Sequence, residues 1–219
     1  MNRRIAGALR LLAGLALAVT VGIQIGDRAV NDAFDPWEYF SYFTIETTLL
    51  TIAVLISGAT LALRTARDPV AFTGIRMAVL TYSLITAGVF NLLLRGQPAH
   101  GYAGPDWPNE VMHVWVPLLL VLDWLLVPGR PALPWRSLWI VPVFPVAWAG
   151  YTFLRAATSG GAIYPYPFLD PATAGWGSVF GYIGALLVVL VGLGALAVLS
   201  SRRMRTRGGG VAEARAVRA

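Results

Sequence analysis

Apolar residues come in six long blocks, at about residues 5–25, 37–63, 74–94, 109–127, 137–154 and 175–200. The hydrocarbon core of a bilayer is about 30 Å thick and is crossed by roughly 20 helical residues, so each block is long enough to span it. Backbone polar groups find no water at that depth and must bond within their own segment, so each block is predicted to be helical. The expectation is an all-α polytopic membrane protein: a bundle of six transmembrane helices over residues 1–200, with a basic tail over 201–219. Gly208-Gly209-Gly210 and the lack of apolar periodicity predict that this tail is disordered. The first block follows Asn2-Arg3-Arg4 and could pass for a secretory signal, but Arg10 interrupts it and no small-residue cleavage site leads into soluble sequence. It is read as a span, with Arg10 snorkelling back to the face where the chain starts.

Composition narrows the chemistry. Hydrophobic residues make up 57% of the chain and charged residues 13%, against about 25% charged in a soluble domain. Cys is absent, which excludes disulfides, thiolate catalysis and thiolate metal sites. All 17 cationic residues are Arg, so a Lys nucleophile or Schiff base is excluded too. With His100 and His113 the only His, neither a metal nor another cofactor is expected. The net charge of +6 does not imply nucleic acid, because the Arg residues flank apolar blocks. Thirteen of the 17 lie at the N-terminus, around Arg64, Arg67 and Arg76, around Arg130 and Arg136, and in the tail. By the positive-inside rule both termini are predicted to be cytoplasmic, which an even number of spans satisfies. No internal repeat of the kind common in secondary transporters is visible.

Polar residues within spans are costly and usually have a reason. The second span carries Thr44, Glu46, Thr47, Thr48 and Thr51, the third Asn91, and the fourth His113 and Asp123. At 100° per residue, Thr44, Thr47, Thr48 and Thr51 form one stripe predicted to face the interior, with Glu46 roughly opposite. Such hydroxyls ordinarily bond back to carbonyls one turn earlier, and a His near an interface is ordinarily structural. The helical rise nevertheless brings Thr44, roughly two turns below the outer boundary, and His113, about one turn below it, to similar depth, so the two can meet. Asp123 lies about 15 Å deeper and is expected to anchor the inner boundary by pairing with Arg76, Arg130 or Arg136. Glu46 is expected to find Arg95 or Arg155.

Three segments carry a family resemblance: Phe40-Ser41-Tyr42-Phe43-Thr44-Ile45, then His113-Val114-Trp115-Val116-Pro117 with Asp123-Trp124, then Tyr164-Pro165-Tyr166-Pro167-Phe168-Leu169-Asp170. Over roughly residues 5–200 the chain resembles the androgen-induced protein family of six-span membrane proteins, and within it the bacterial branch. Animal members are intramembrane threonine hydrolases of fatty acid esters of hydroxy fatty acids. The resemblance implies a lipid ester hydrolase of a bacterial plasma membrane, with Thr44 as nucleophile and His113 as base. It gives the proline-aromatic segment no catalytic duty. A Thr hydroxyl needs an adjacent base to attack, which a neutral imidazole can be, and Asn91 or a backbone carbonyl can orient the ring. The competing reading is a non-enzymatic transporter or ligand-binding protein whose polar cavity the same residues line.

Overall fold

The computed structural model describes residues 2–97, 102–159 and 164–216, with side chains through Arg203. Among these residues all regular structure is helical. Six helices are long and apolar enough to cross a membrane: α1 (Arg3–Val30), α2 (Phe43–Arg64), α3 (Val70–Leu94), α4 (Trp107–Leu126), α5 (Trp135–Thr158) and α6 (Trp176–Ala216). The chain is an integral membrane protein with the expected six-helix architecture.

Two helix ends differ from the sequence expectation. The second helix does not begin near Trp37: Asp35 caps a separate short helix, Pro36–Tyr39, by accepting from the Trp37 N–H at 2.8 Å. The chain then breaks at Phe40–Tyr42, where the Ser41 hydroxyl bonds the Glu38 carbonyl at 2.6 Å, and α2 starts at Phe43. Continuous aromatic and apolar character hides this break in the sequence. At the other end the sequence reading stops the last helix near residue 200, whereas α6 continues to Ala216. A helix already formed across a span propagates without a new nucleus, and Ala and Arg favour it, so the glycine run does not end it.

α1 lies along α2 through small residues: a Cβ on Gly7 would stand 3.2 Å from the Ala59 carbonyl, and one on Gly14 would stand 3.1 Å from Ile56. Close backbone approach of this kind is how helices associate in lipid, where apolar burial alone gives no drive. α3 is the central helix, with Met77 and Thr81 fully buried. Leu55, Val141, Val179 and Val198 pack around it into one core.

The face that carries the termini is braced by a buried charge network. Arg3 reaches Asp68 at 2.7 Å, Asp68 binds Arg76 at 2.8 Å, Arg76 binds Asp123, and Asp123 binds Arg10 at 2.7 Å. Arg10 also donates to the Gly58 carbonyl at 3.0 Å. The expectation that Arg10 snorkels out is therefore wrong: it is 3% exposed and locked to Asp123. A buried charge keeps its ionised form when paired and fully hydrogen-bonded, and a carboxylate in reach makes that cheaper than stretching to the interface. Asp123 is the anchor that was expected, on Arg76, with Arg10 as the partner not foreseen. Gly129, at φ +91°, turns the chain after α4 so that the Pro128 carbonyl meets Arg3 at 2.9 Å. The C-terminal side joins the same face, since Arg202 donates to the Leu133 carbonyl and Ser201 accepts from the Leu133 N–H.

Candidate active site

Thr44 is the second residue of α2, not two turns inside it, because the helix begins at Phe43. The first N–H groups of any helix lack intrahelical acceptors, and the Tyr42 cap offers them no side-chain bond. Thr44 therefore presents its hydroxyl beside uncapped backbone N–H groups, a local setting that only the position of the break creates.

His113 owes its placement to Pro117. In a regular helix the carbonyl of residue 113 would accept from the N–H of residue 117, which proline lacks, and the ring would crowd that carbonyl. The helix opens into a π turn over Val111–Trp115, and Asn91 of α3 donates its side-chain N–H to the freed His113 carbonyl at 3.2 Å. A second π turn, Phe90–Leu94, faces the first. It lays the Phe90 ring flat on the imidazole, centroids 4.1 Å apart and planes 15° from parallel. Such turns are uncommon and gather at functional sites.

The histidine Nδ1 lies 2.8 Å from the Asn109 carbonyl. A carbonyl only accepts, so Nδ1 carries the hydrogen, and the neutral ring turns its Nε2 lone pair outward. That nitrogen stands 3.2 Å from Thr44 Oγ1. The two residues picked out from sequence are thus in hydrogen-bond contact, with the ring oriented by a backbone carbonyl. Asn91 supports the backbone beneath it rather than the ring.

A third group completes the arrangement. The Tyr166 hydroxyl lies 3.5 Å from Thr44 Oγ1, and the residue is only 8% exposed. Tyr166 stacks on Phe168 and meets Tyr42 and Trp148 edge-on or tilted, which fixes its ring. Burial pushes its hydroxyl up to about 12, against the opposing pull of hydrogen bonds from the Thr44 side chain and from the backbone at Thr44 and Phe43. It stays a neutral donor. In the sequence Tyr166 lies within the proline-aromatic segment, to which the resemblance gives no catalytic duty. The available signal was Pro165 and Pro167 on either side, which stiffen the chain around one aromatic hydroxyl.

These groups open onto a cavity of about 330 Å³ walled by α2 to α6 and the loop before α6. Thr86 and Trp148 also line it, but their polar atoms are committed to the Ser83 and Ser41 carbonyls, which leaves Thr44, His113 and Tyr166 facing a lining that is otherwise apolar. Val146 of α5 and Phe180 of α6 belong to the wall while being 54% and 61% exposed, so the cavity borders the lipid-facing surface between these helices.

Of the threonine stripe only Thr44 reaches the cavity. Thr48 and Thr51 are buried and bond back to the Thr44 and Thr47 carbonyls at 2.7 and 2.8 Å, the ordinary membrane behaviour of this residue. Glu46 is half-buried and meets neither expected cation: Arg95 pairs with Glu110 at 2.6 Å, and Arg155 bonds the Ser41 hydroxyl at 2.8 Å. Both cations sit near helix ends and are held there by these other partners. Among the described residues no cluster of three or more His, Asp or Glu is placed to hold a metal ion. No family model matches the chain, and neither a curated protein nor a solved structure matches it.

Proposed function

We propose that the protein is an intramembrane hydrolase of long-chain lipid esters, of the fatty acid ester of hydroxy fatty acid type, with Thr44 as nucleophile and His113 as general base. The observation that carries this reading is the ordered line from the Asn109 carbonyl through the imidazole to the Thr44 hydroxyl, at 2.8 and 3.2 Å. A hydroxyl is activated in this way by a neutral imidazole held in one tautomer. The apolar cavity supports a lipid rather than a polar solute, and its border with the lipid-facing surface between α5 and α6 gives an acyl chain lateral access. That lining also weighs against transport of a polar solute, which needs a polar path.

In the reaction, Thr44 Oγ1 bonds to the ester carbon as its proton passes to His113 Nε2. The imidazolium is stabilised by the Asn109 carbonyl on Nδ1–H. Collapse of the tetrahedral intermediate breaks the bond to the alkoxy oxygen, which takes the proton from Nε2 and leaves as the alcohol. Water then gives a proton to the same nitrogen while attacking the acyl-threonine, and the acid is released with Thr44 restored. In the membrane, the Arg distribution favours both termini in the cytoplasm of a bacterial cell, which puts the site in the outer half of the bilayer.

Purified protein should release free fatty acid from a long-chain ester panel, read by mass spectrometry, with Thr44→Ala inactive. Folded Thr44→Ala protein that hydrolyses the same ester at the wild-type rate would remove the assignment, and tight lipid binding without turnover in wild type would favour the binding-protein reading.

A further inference from the structure

The catalytic pair accounts for the proton and the nucleophile but leaves the developing carbonyl oxyanion without a partner. Among the described residues no cation lines the cavity, so this charge has to be met by neutral donors, and it must lie within a bond or two of Thr44 Oγ1.

Tyr166 and the start of α2 meet that need together. The Tyr166 Oη stands 3.5 Å from Thr44 Oγ1, in the wall of the same cavity, on a ring immobilised by its aromatic neighbours. The first turn of α2 adds the backbone N–H groups of Phe43 and Thr44, which precede the first intrahelical acceptor and belong to residues in the wall of the same cavity. A helix N-terminus carries partial positive charge, so three donors and a favourable dipole converge beside the nucleophile.

We propose that Tyr166 is a catalytic residue whose hydroxyl, with the N–H groups of Phe43 and Thr44, forms the oxyanion hole of the ester hydrolysis. As Thr44 Oγ1 bonds to the carbonyl carbon, the C=O π pair moves onto oxygen. The Tyr166 O–H donates a hydrogen bond to that oxygen without transferring its proton, and the pair returns when the alkoxide leaves. The donors are fixed before the reaction begins, which is what makes such sites effective. The break at Phe40–Tyr42 acquires a purpose: a helix running on from Trp37 would have tied up these N–H groups. The proposal rests on the hydrolase reading.

The experiment compares wild type, Tyr166→Phe and Thr44→Ala in turnover of one long-chain ester and in the rate of fluorophosphonate labelling. Phe keeps the ring packing and removes only the hydroxyl. Turnover and labelling rate should fall together by about 10²- to 10³-fold, with KM and melting temperature near wild type, because the bond forms only in the transition state. If Tyr166→Phe does not fold, fluorinated tyrosines at position 166 serve instead, and kcat should track the acidity of the donor at constant KM. Thr44-dependent turnover in wild type with Tyr166→Phe within about threefold of it, or a kcat indifferent to fluorination, overturns the oxyanion role alone. Absence of any Thr44-dependent turnover or labelling in wild type overturns the hydrolase reading and this proposal with it.

Discussion

The two ends of the bundle bury polar groups on opposite terms. At the end carrying the termini, Arg3, Arg10, Arg76, Asp68 and Asp123 are ionised groups linked into one chain, and every link is an ion pair. At the other end Thr44, His113 and Tyr166 are neutral, joined by contacts of 3.2 and 3.5 Å, and set in an apolar cavity. The first arrangement satisfies its members and ties α1, α3, α4 and the α2–α3 loop together, so removing one leaves another buried and uncompensated. The second holds a lone pair and donors in reserve for something that is not protein. Full satisfaction makes a brace, and partial satisfaction in a preformed cavity leaves groups able to meet a ligand, which is the basis of the proposed site.

Substitutions at the two ends should therefore separate stability from turnover. After the loss expected of Thr44→Ala, the largest effect is expected at His113: His113→Ala removes the proposed base and should cost about 10²- to 10⁴-fold in kcat with little change in melting temperature, measured on detergent-purified protein. Wild-type activity should also fall on the acid side of the imidazole titration, since only the neutral ring accepts the Thr44 proton. Asp123→Asn sharpens the contrast from the other end. It takes the carboxylate partner from Arg10 and one of two from Arg76, which keeps Asp68, and should lower stability by about 3 to 5 kcal/mol, the cost typical of a broken buried pair, while turnover per folded molecule stays near wild type. Near-complete loss of activity in folded Asp123→Asn would break the comparison and draw the network into the mechanism. The smallest effect is expected at Asn91→Ala, which leaves the His113 carbonyl short of a donor. A drop of about tenfold or less in kcat, with labelling still dependent on Thr44, would mark Asn91 as a positioning residue.

How much of this could be read from residues alone differs between the two ends as well. Six helices follow from block length, and the approach of Thr44 to His113 follows from similar depth, because helical rise is a fixed quantity. The Asp123 and Arg76 pair follows from the cost of a lone buried charge. What could not be read depends on tertiary placement. Arg10 looked close enough to the interface to snorkel, and only the packing of α1 on α2 and α4 puts Asp123 within its reach. The break before Phe43 is masked by aromatic and apolar residues, so the sequence places Thr44 roughly two turns below the outer boundary instead of at the start of its helix. Tyr166 comes from a loop some 120 residues away in sequence, and no local pattern links it to Thr44. Pro117 is a local clue of the same kind as Pro165 and Pro167: four residues after His113, it announces a carbonyl without its usual partner.

The central claim is that Thr44 is an activated nucleophile, and site mapping of a covalent adduct tests it most directly. Wild-type protein treated with a fluorophosphonate, then digested and analysed by mass spectrometry, should carry a single adduct on the peptide containing Thr44. Thr44→Ala should carry none, and Thr44→Ser should regain part of the labelling. An unlabelled wild type, or equal labelling of folded Thr44→Ala, would contradict the account.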